Sequence, residues 1–385
     1  MYRLNQEQQR VVGEMAALAD ARIAPHAERV DRDGSFPEES IAALGAVGLL
    51  GLTVPPQFGG LGHGLRTMAA ALDALASRCS STAMVYLMHL CGVACYAAAP
   101  ETAAAALRAA ALGRHLSTLA FSEKGSRSHF WAPVSQATGV NGNGTVRLNA
   151  AKSFVTSAGR ADGYVVSTLA TEATQPMEST IYLVLRDDAG LNVSGAWRGL
   201  GMRGNASAPM TLRDVEVAPD RALSAPGKGL DVMLGVVLPV FQVGSAAVAI
   251  GIAEAAVQAT IRHVTQSRFE HMDSSLAQLP TIRARVAQMR IETDRARAHL
   301  VAVLDSIEAP GAATQLLVLE AKAAATEAAV SVTDIAMRTC GGAAFGGAFG
   351  LDRLFRDARA PVVMAPTTDQ AQDFIGRALC GLELF

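Results

Sequence analysis

RTCGGAAFGGAFGLDRLFRDARAPVVMAPTTD, residues 338–369, joins a glycine cluster, an Arg-Asp pair and a Thr-Thr-Asp helix start. Glycine has no Cβ, so the backbone around Gly341 and Gly342 can approach a ligand closely. The Thr367-Thr368-Asp369 start leaves unpaired N–H groups at a helix N-terminus, which suits anionic or carbonyl oxygens.

The chain of 385 residues is long enough for two or three domains around a large core. Half of its residues are hydrophobic and only 18% are charged, which favours a mostly helical protein. A net charge of -2 provides no field for nucleic acid or an acidic membrane. Cys79, Cys91, Cys95, Cys340 and Cys380 are scattered and read as reduced thiols of a cytoplasmic protein. Cys91-x-x-x-Cys95 lacks the second pair of a zinc site, so no metal is expected. The N-terminus has no apolar h-region, and no signal peptide is expected. Residues 232–253 carry no charge and reach the ~20 residues that span a bilayer. Pro239, Gln242 and Ser245 within it, and the lack of a cationic or aromatic belt, favour a buried bundle helix.

Apolar spacing predicts helices over residues 4–30, 65–76, 81–97 and 101–111, with Ser80 or Ser81 as an N-cap. Near Arg114 the pattern changes to short β-branched runs with Gly, Asn and Asp turns. Asn141-Gly142-Asn143-Gly144 signals a hairpin, and residues 145–148, 153–157, 164–168, 181–185 and 210–217 fit strands. Long helices then fit 230–266, 276–307 and 314–340, with a short one over 368–382. The expected class is α+β: a helical domain over 1–115, a β-sandwich or barrel over 116–222, and a four-helix bundle over 223–385.

Several blocks now combine. The opening stretch resembles the C-terminal signature of the acyl-CoA dehydrogenase superfamily of flavoproteins, a GG-x-G-[FY]…RDA…EGT pattern. Residues 51–62, GLTVPPQFGGLG, are similar to the family's extended loop, and residues 121–128, FSEKGSRS, resemble its [LT]-T-E-P-x-x-G-S segment. Residues 148–159 resemble [LI]-x-G-x-K-x-[FW]-[IV]-[TS]-N, with Ala150 in place of glycine. Residues 197–207 resemble the block that closes the β domain, and we assign it, with Arg203, mainly to fold.

The resemblance implies FAD, with Phe121, Ser122 and Ser128 at the flavin pyrimidine. It implies Phe154 packing on the isoalloxazine and Thr156 bonding near N5; strand alternation predicts that these two share a face. It implies that Phe269, Gly341, Gly342, Thr367 and Asp369 serve the rest of FAD, near a homodimer or homotetramer interface. Arg338 stands where the family has glutamine, and a guanidinium there can meet pyrophosphate or simply solvate a helix end. Arg268 is displaced by two positions from the family's FAD arginine. Arg356-Asp357 is expected as an ion pair that fixes the loop.

The catalytic base does not carry over. Where the family has a glutamate before Gly-Thr, this chain reads Ala365-Pro366-Thr367, and the alternative position on the first bundle helix is Phe241-Gln242. His89 is a possible substitute, although a lone histidine on a helix is more often a satisfied core residue. Gln242 can orient a carbonyl but cannot act as a base near neutral pH. The resemblance therefore implies oxidation of an acyl-CoA or acyl-carrier-protein thioester with a relocated or missing base, passing electrons to a separate acceptor. Two further enzyme readings are an oxygenase fed by a reductase and a non-oxidative elimination such as loss of sulfinate. A binding subunit without chemistry is the last.

Overall fold

The computed structural model of the protein describes residues 1–126, 129–140 and 142–383. It opens with helices α1 (Gln6–Leu18), α2 (Ala27–Asp33), α3 (Glu38–Ala46), α4 (Leu65–Ala76), α5 (Ser80–Ala98) and α6 (Pro100–Ala111). Asn5 and Gln8 close a reciprocal capping box at the start of α1. The single helix expected over residues 4–30 is interrupted by a π-turn at Ala19–Ile23 and a 3-10 turn at Ala24–His26. Pro25 sits at that break, where its missing N–H ends the helical ladder. The expected serine cap of α5 is also corrected. Cys79 holds the cap position without a side-chain bond. Ser80 Oγ instead donates to Asp357 at 2.5 Å, and Ser81 Oγ accepts from the Gly204 N–H.

The middle of the chain forms strands β1 (Ser117–Ala120), β2 (Thr138–Val140), β3 (Thr145–Val155), β4 (Gly163–Leu169), β5 (Ser179–Leu185), β6 (Leu191–Val193) and β7 (Ala208–Val217). They build two sheets, ordered β1-β4-β5 and β2-β3-β7-β6. Only β1 and β4 run parallel; the other pairs are antiparallel. Leu148, Val155, Tyr164, Val166, Val184, Leu212 and Val215 fill a core of their own. The two strands expected at 145–148 and 153–157 are one strand, β3, with register shifts at Leu148/Ala150 and Lys152/Val155. Such bulges bend a strand and re-aim its side chains.

The chain then returns to helix. Helix α7 (Gly229–Val232) leads through a π-turn into α8 (Leu238–Gln266), followed by a hairpin of β8 (Arg268–Phe269) and β9 (Ser274–Ser275). Helices α9 (Pro280–Glu308), α10 (Thr314–Phe345), α11 (Leu351–Asp357), α12 (Ala360–Val363) and α13 (Thr368–Leu379) complete it. Helix α10 packs along α8, α9 and α13, giving the four-helix bundle.

Helix α8 is apolar on nearly every side because it lies between the bundle and the N-terminal helices. A Cβ at Gly244 would fall 2.2 Å from Leu87 Cδ1, and one at Gly251 would fall 2.4 Å from the Asp73 carbonyl oxygen. Only glycine permits that approach to α5 and α4. Residues Gly229–Gln266 and Ser80–Ala98 are long and apolar enough to cross a membrane, yet 78% of the most apolar window of each is buried inside the molecule. One continuous core joins the N-terminal helices to the bundle. Within it, Asp73 accepts from the Tyr2 hydroxyl at 2.8 Å and from Arg297 at 2.9 Å.

Candidate active site

The first part of the site hangs from the end of β1. Phe121 is buried and Ser122 half-buried, and the Ser153 N–H donates to the Ser122 carbonyl at 2.8 Å. The adjoining turn is fixed by a charge pair that sequence reasoning missed. Lys152 Nζ lies 2.6 Å from Glu123 Oε1, and both side chains are almost wholly buried. The same carboxylate accepts the N–H groups of Val134 and Ser135 at 2.8 Å and the Ser135 hydroxyl at 2.5 Å. Burial alone would raise the Glu123 pKa, but Lys152 and the Ser135 bonds outweigh it and hold the carboxyl below its ordinary value. The sequence carries no clear signal for this pair, since Glu123 lies in a turn beside Lys124 and β3 also holds Arg147 and Asn149.

Phe154 has a φ of +54° at the second bulge of β3 and is 71% exposed. Thr156 is buried, its hydroxyl 2.9 Å from Ser207 Oγ. The bulge interrupts the alternation on which the expected shared face rested, and the two residues differ in exposure, Phe154 open and Thr156 covered. Ser207 belongs to the block at residues 197–207, which Trp197 folds by donating Nε1–H to the Met202 carbonyl at 3.1 Å. Ser128 lies outside the described residues.

The second part lies between α8, α10 and the segment joining α12 to α13. Ala365 is half-exposed in that segment and is joined to Pro366 by a cis peptide. Thr367 caps α13, its hydroxyl accepting from the Gln370 N–H at 3.2 Å, and Asp369 is exposed in the first turn. Lys322 of α10, also missed from the sequence, is fully buried. It donates to the Met364 carbonyl at 2.7 Å and to the Pro366 carbonyl at 2.6 Å, one on each side of Ala365. Its ammonium lies 5.9 Å from the centre of the Phe241 ring, so it stands between the two positions where a base was sought. Burial pulls its pKa down to about 7. The signal was legible: Val318, Leu319, Ala325, Thr326 and Ala329 put position 322 on the buried stripe.

Gln242 is completely buried, and neither its amide nitrogen nor its oxygen has a hydrogen-bond partner. Ser245, one turn on, has an unpartnered buried hydroxyl as well. His89 is corrected. Its Nε2 lies 2.8 Å from the Leu50 carbonyl oxygen, and its Nδ1 accepts the Ser117 N–H at 3.1 Å. Burial lowers its pKa to about 4. With both nitrogens engaged inside the core, it holds α5 to β1 and has no free lone pair for substrate.

A third group of expected residues gathers at the other end of the bundle. Thr260 lies beside Cys340, and the His263 ring stacks on Phe349 at 4.7 Å; with Lys322 over the Phe241 ring further back, the contacts rise together, so α8 and α10 run parallel. Phe269 is half-buried against the edge of His271. Arg338 pairs with Asp334 at 3.1 Å and Arg268 with Asp273 at 2.6 Å, all four well exposed. Gly341 takes φ +57° and ψ -137°, a kink that only glycine adopts readily, and Gly342 has open space around it. The rise of α10 puts Arg338 about 24 Å from Lys322, so this group serves a different part of any ligand. The Arg356-Asp357 pair is corrected: Arg356 pairs with Asp31 at 2.5 Å, while the buried Asp357 accepts from Ser80 and from the Met202 N–H. Both neighbours also reach one loop, Arg356 donating to the Leu200 carbonyl and Asp357 accepting from the Met202 N–H, and so tie the bundle to the block at residues 197–207.

The two nearer parts meet through one aromatic contact. Trp131, in the loop that continues from Glu123, packs on Phe374 of α13 at 5.5 Å between ring centres. An isoalloxazine ring needs an open flat apolar surface beside hydrogen-bonding backbone and hydroxyl groups. Phe154, the Ser122 turn and the Thr156–Ser207 pair offer that set, so the residues present fit a flavin.

A helical domain, a bulged β domain bearing an open aromatic and a four-helix bundle together define a flavoprotein oxidoreductase scaffold. The chain belongs to the acyl-CoA dehydrogenase family: the family's N-terminal domain matches residues 5–114, its middle domain 118–215 and its C-terminal domain 227–380. It is 27% identical to the probable acyl-CoA dehydrogenase YngJ of Bacillus subtilis (strain 168), covering 98% of this chain and 99% of that one. Its fold is similar to butyryl-CoA dehydrogenase from Megasphaera elsdenii, with a TM-score of 0.92, 22% identity, and 98% and 99% of the two chains covered. It is also similar to FMN-bound TdsC from Paenibacillus sp. A11-2, with a TM-score of 0.87, 24% identity and 97% of each chain covered. Another structure of TdsC describes it as a dibenzothiophene monooxygenase. The family consists of FAD flavoproteins, and the chain is an acyl-CoA dehydrogenase-like enzyme.

Proposed function

We propose that the chain oxidises the acyl part of a CoA or acyl-carrier-protein thioester with FAD, and that its pocket lacks the side-chain carboxylate the reaction ordinarily uses. The observation that carries the reading is the open ring of Phe154, held on the bulge of β3 beside the Ser122 turn. When bound, FAD supplies the hydride acceptor. The chain's own contribution is placement. Phe154 gives the ring an apolar floor, the Ser122 turn offers backbone groups to its polar edge, and the Thr156 hydroxyl, steadied by Ser207, offers a hydrogen bond. Phe269, Arg338, Gly341, Gly342 and Asp369 are assigned to the remainder of FAD at a homodimer or homotetramer interface. Ala365 and Phe241 bring no base to the gap where one is needed, and the unpartnered Gln242 amide is a polar group that can meet a ligand oxygen.

The lack of a carboxylate side chain at that gap among the described residues also favours a second reading. A flavin monooxygenase, as TdsC is described, needs no base for an α-proton. The two separate cleanly. Anaerobic bleaching of bound flavin by members of an acyl-thioester panel supports thioester oxidation. No bleaching across the panel, with product formed only from supplied reduced flavin and oxygen, overturns it in favour of oxygenation.

A further inference from the structure

Two unpartnered donors stand at one level of the bundle. The same number of residues separates Gln242 from Thr260 as Lys322 from Cys340, and Thr260 lies beside Cys340 in the parallel pair of helices α8 and α10. The Gln242 amide and the Lys322 ammonium are therefore neighbours across α8 and α10, consistent with Lys322 lying over the Phe241 ring. Lys322 is buried with no carboxylate in ion-pair reach among the described residues. A neutral amine has two N–H groups, and the carbonyls of Met364 and Pro366 take both. The third N–H, present only in the ammonium, has no acceptor in the chain. The Gln242 amide has none either.

We propose that this corner binds a carboxylate carried by the ligand, one oxygen accepting from Lys322 and the other from the Gln242 amide. The ligand then supplies, beside Ala365, the negative charge that no side chain provides. A carboxylate matches the pair because it offers two oxygens to two separated donors, and charge-assisted bonds are the stronger ones in a dry site. The proposal narrows the substrate class to acyl compounds bearing a second, free carboxylate, and it rests on the reading of residues 364–366 as pocket wall.

Binding is coupled to a proton, because only the charged amine has the third N–H. The other elements packed here bring no competing charge. Helix α8 presents Phe241, Gln242 and Ser245, while α12 and residues 364–367 carry no titratable side chain. On α13 the first acid, Asp369, is exposed; on α10, Glu320 turns to His299 of α9 at 3.7 Å, and Glu327 is exposed.

The test is calorimetric titration of the FAD-loaded protein with butyrate, in buffers of different ionisation enthalpy. Close to one proton is expected to be taken up per butyrate at pH 9 and almost none at pH 6, with affinity falling about 50-fold from pH 7 to pH 9. Lys322→Met is expected to abolish binding, and Gln242→Leu to weaken it while leaving the proton uptake intact. Affinity that stays flat with pH in the wild-type protein, absence of binding at every pH, or unchanged binding in a folded Lys322→Met overturns the site. Because butyrate binding is read without turnover, it fails independently of FAD loading, whose own failure would count against the parent reading.

Discussion

Replacing Ala365 with glutamate is expected to raise the rate of α-proton abstraction from a bound acyl thioester by about 10²–10⁴-fold, the usual worth of a positioned general base. In barrier terms that is roughly 3–5 kcal/mol. The backbone at this position is already held on both sides, since Lys322 bonds the carbonyls of Met364 and Pro366. A new side chain there starts from a fixed stem, and Lys322 provides a nearby cation that favours the ionised carboxylate. The measurement is exchange of the thioester α-hydrogen for deuterium in heavy water, followed by NMR, with wild type and Ala365→Glu both loaded with FAD. Equal exchange rates in the two proteins would mean that the acyl group does not lie against residue 365, and the assignment of the pocket would fall with it.

Lys152→Met is expected to cost about 3–5 kcal/mol of stability, the range for removing one partner of a buried ion pair. The loss arises because Glu123 keeps its buried position with no cation beside it, while the bonds from Val134 and Ser135 still hold it in place. The pH dependence follows from the direction of the shift. In the wild type the folded-state value lies below the ordinary 4.5, so the pair's contribution is present above that pH and fades as pH falls through the folded value. The gap between wild type and variant in urea unfolding should thus be widest near neutral pH and narrow in acid, where Glu123 protonates. A gap under 1 kcal/mol at pH 7 would show that the turn carrying Ser122 is held by other contacts.

Much of this architecture is written in local pattern. The change from helical to alternating spacing near Arg114 reflects strands such as β7, with one face covered and one open, while β4 and β5 are buried on both faces, and the charge-free run in α8 reflects a helix covered all round. The boundaries that went astray did so where a tertiary partner overrode a local preference. Ser80 left the cap of α5 for Asp357, and Pro25 divided a helix whose apolar period runs straight through it. The unequal exposure of Phe154 and Thr156 was not legible because a bulge is a register event between two strands, and β3 alone does not encode where β7 slips past it.

The site was legible in part for a related reason. Motif residues such as Ser122 and Phe154 are recognisable as types at fixed spacing, whereas Lys322 and Glu123 matter through what surrounds them. A lysine on an apolar stripe is visible in the sequence, yet its position between two carbonyls flanking Ala365 depends on how α12 and α13 return to α10. His89 shows the converse, a residue whose alternatives the sequence left open. Its residue type suggested chemistry, and only the Leu50 carbonyl and Ser117 N–H, both distant in sequence, reveal a structural role.

The account depends on a flavin ring lying on Phe154. A crystal structure of the protein grown with FAD tests this directly, and the account requires the isoalloxazine stacked on the Phe154 ring, with its polar edge bonded to the Ser122 turn and the Thr156 hydroxyl within hydrogen-bond reach. FAD density elsewhere, or a Phe154 ring that stays bare at saturating FAD, would contradict it.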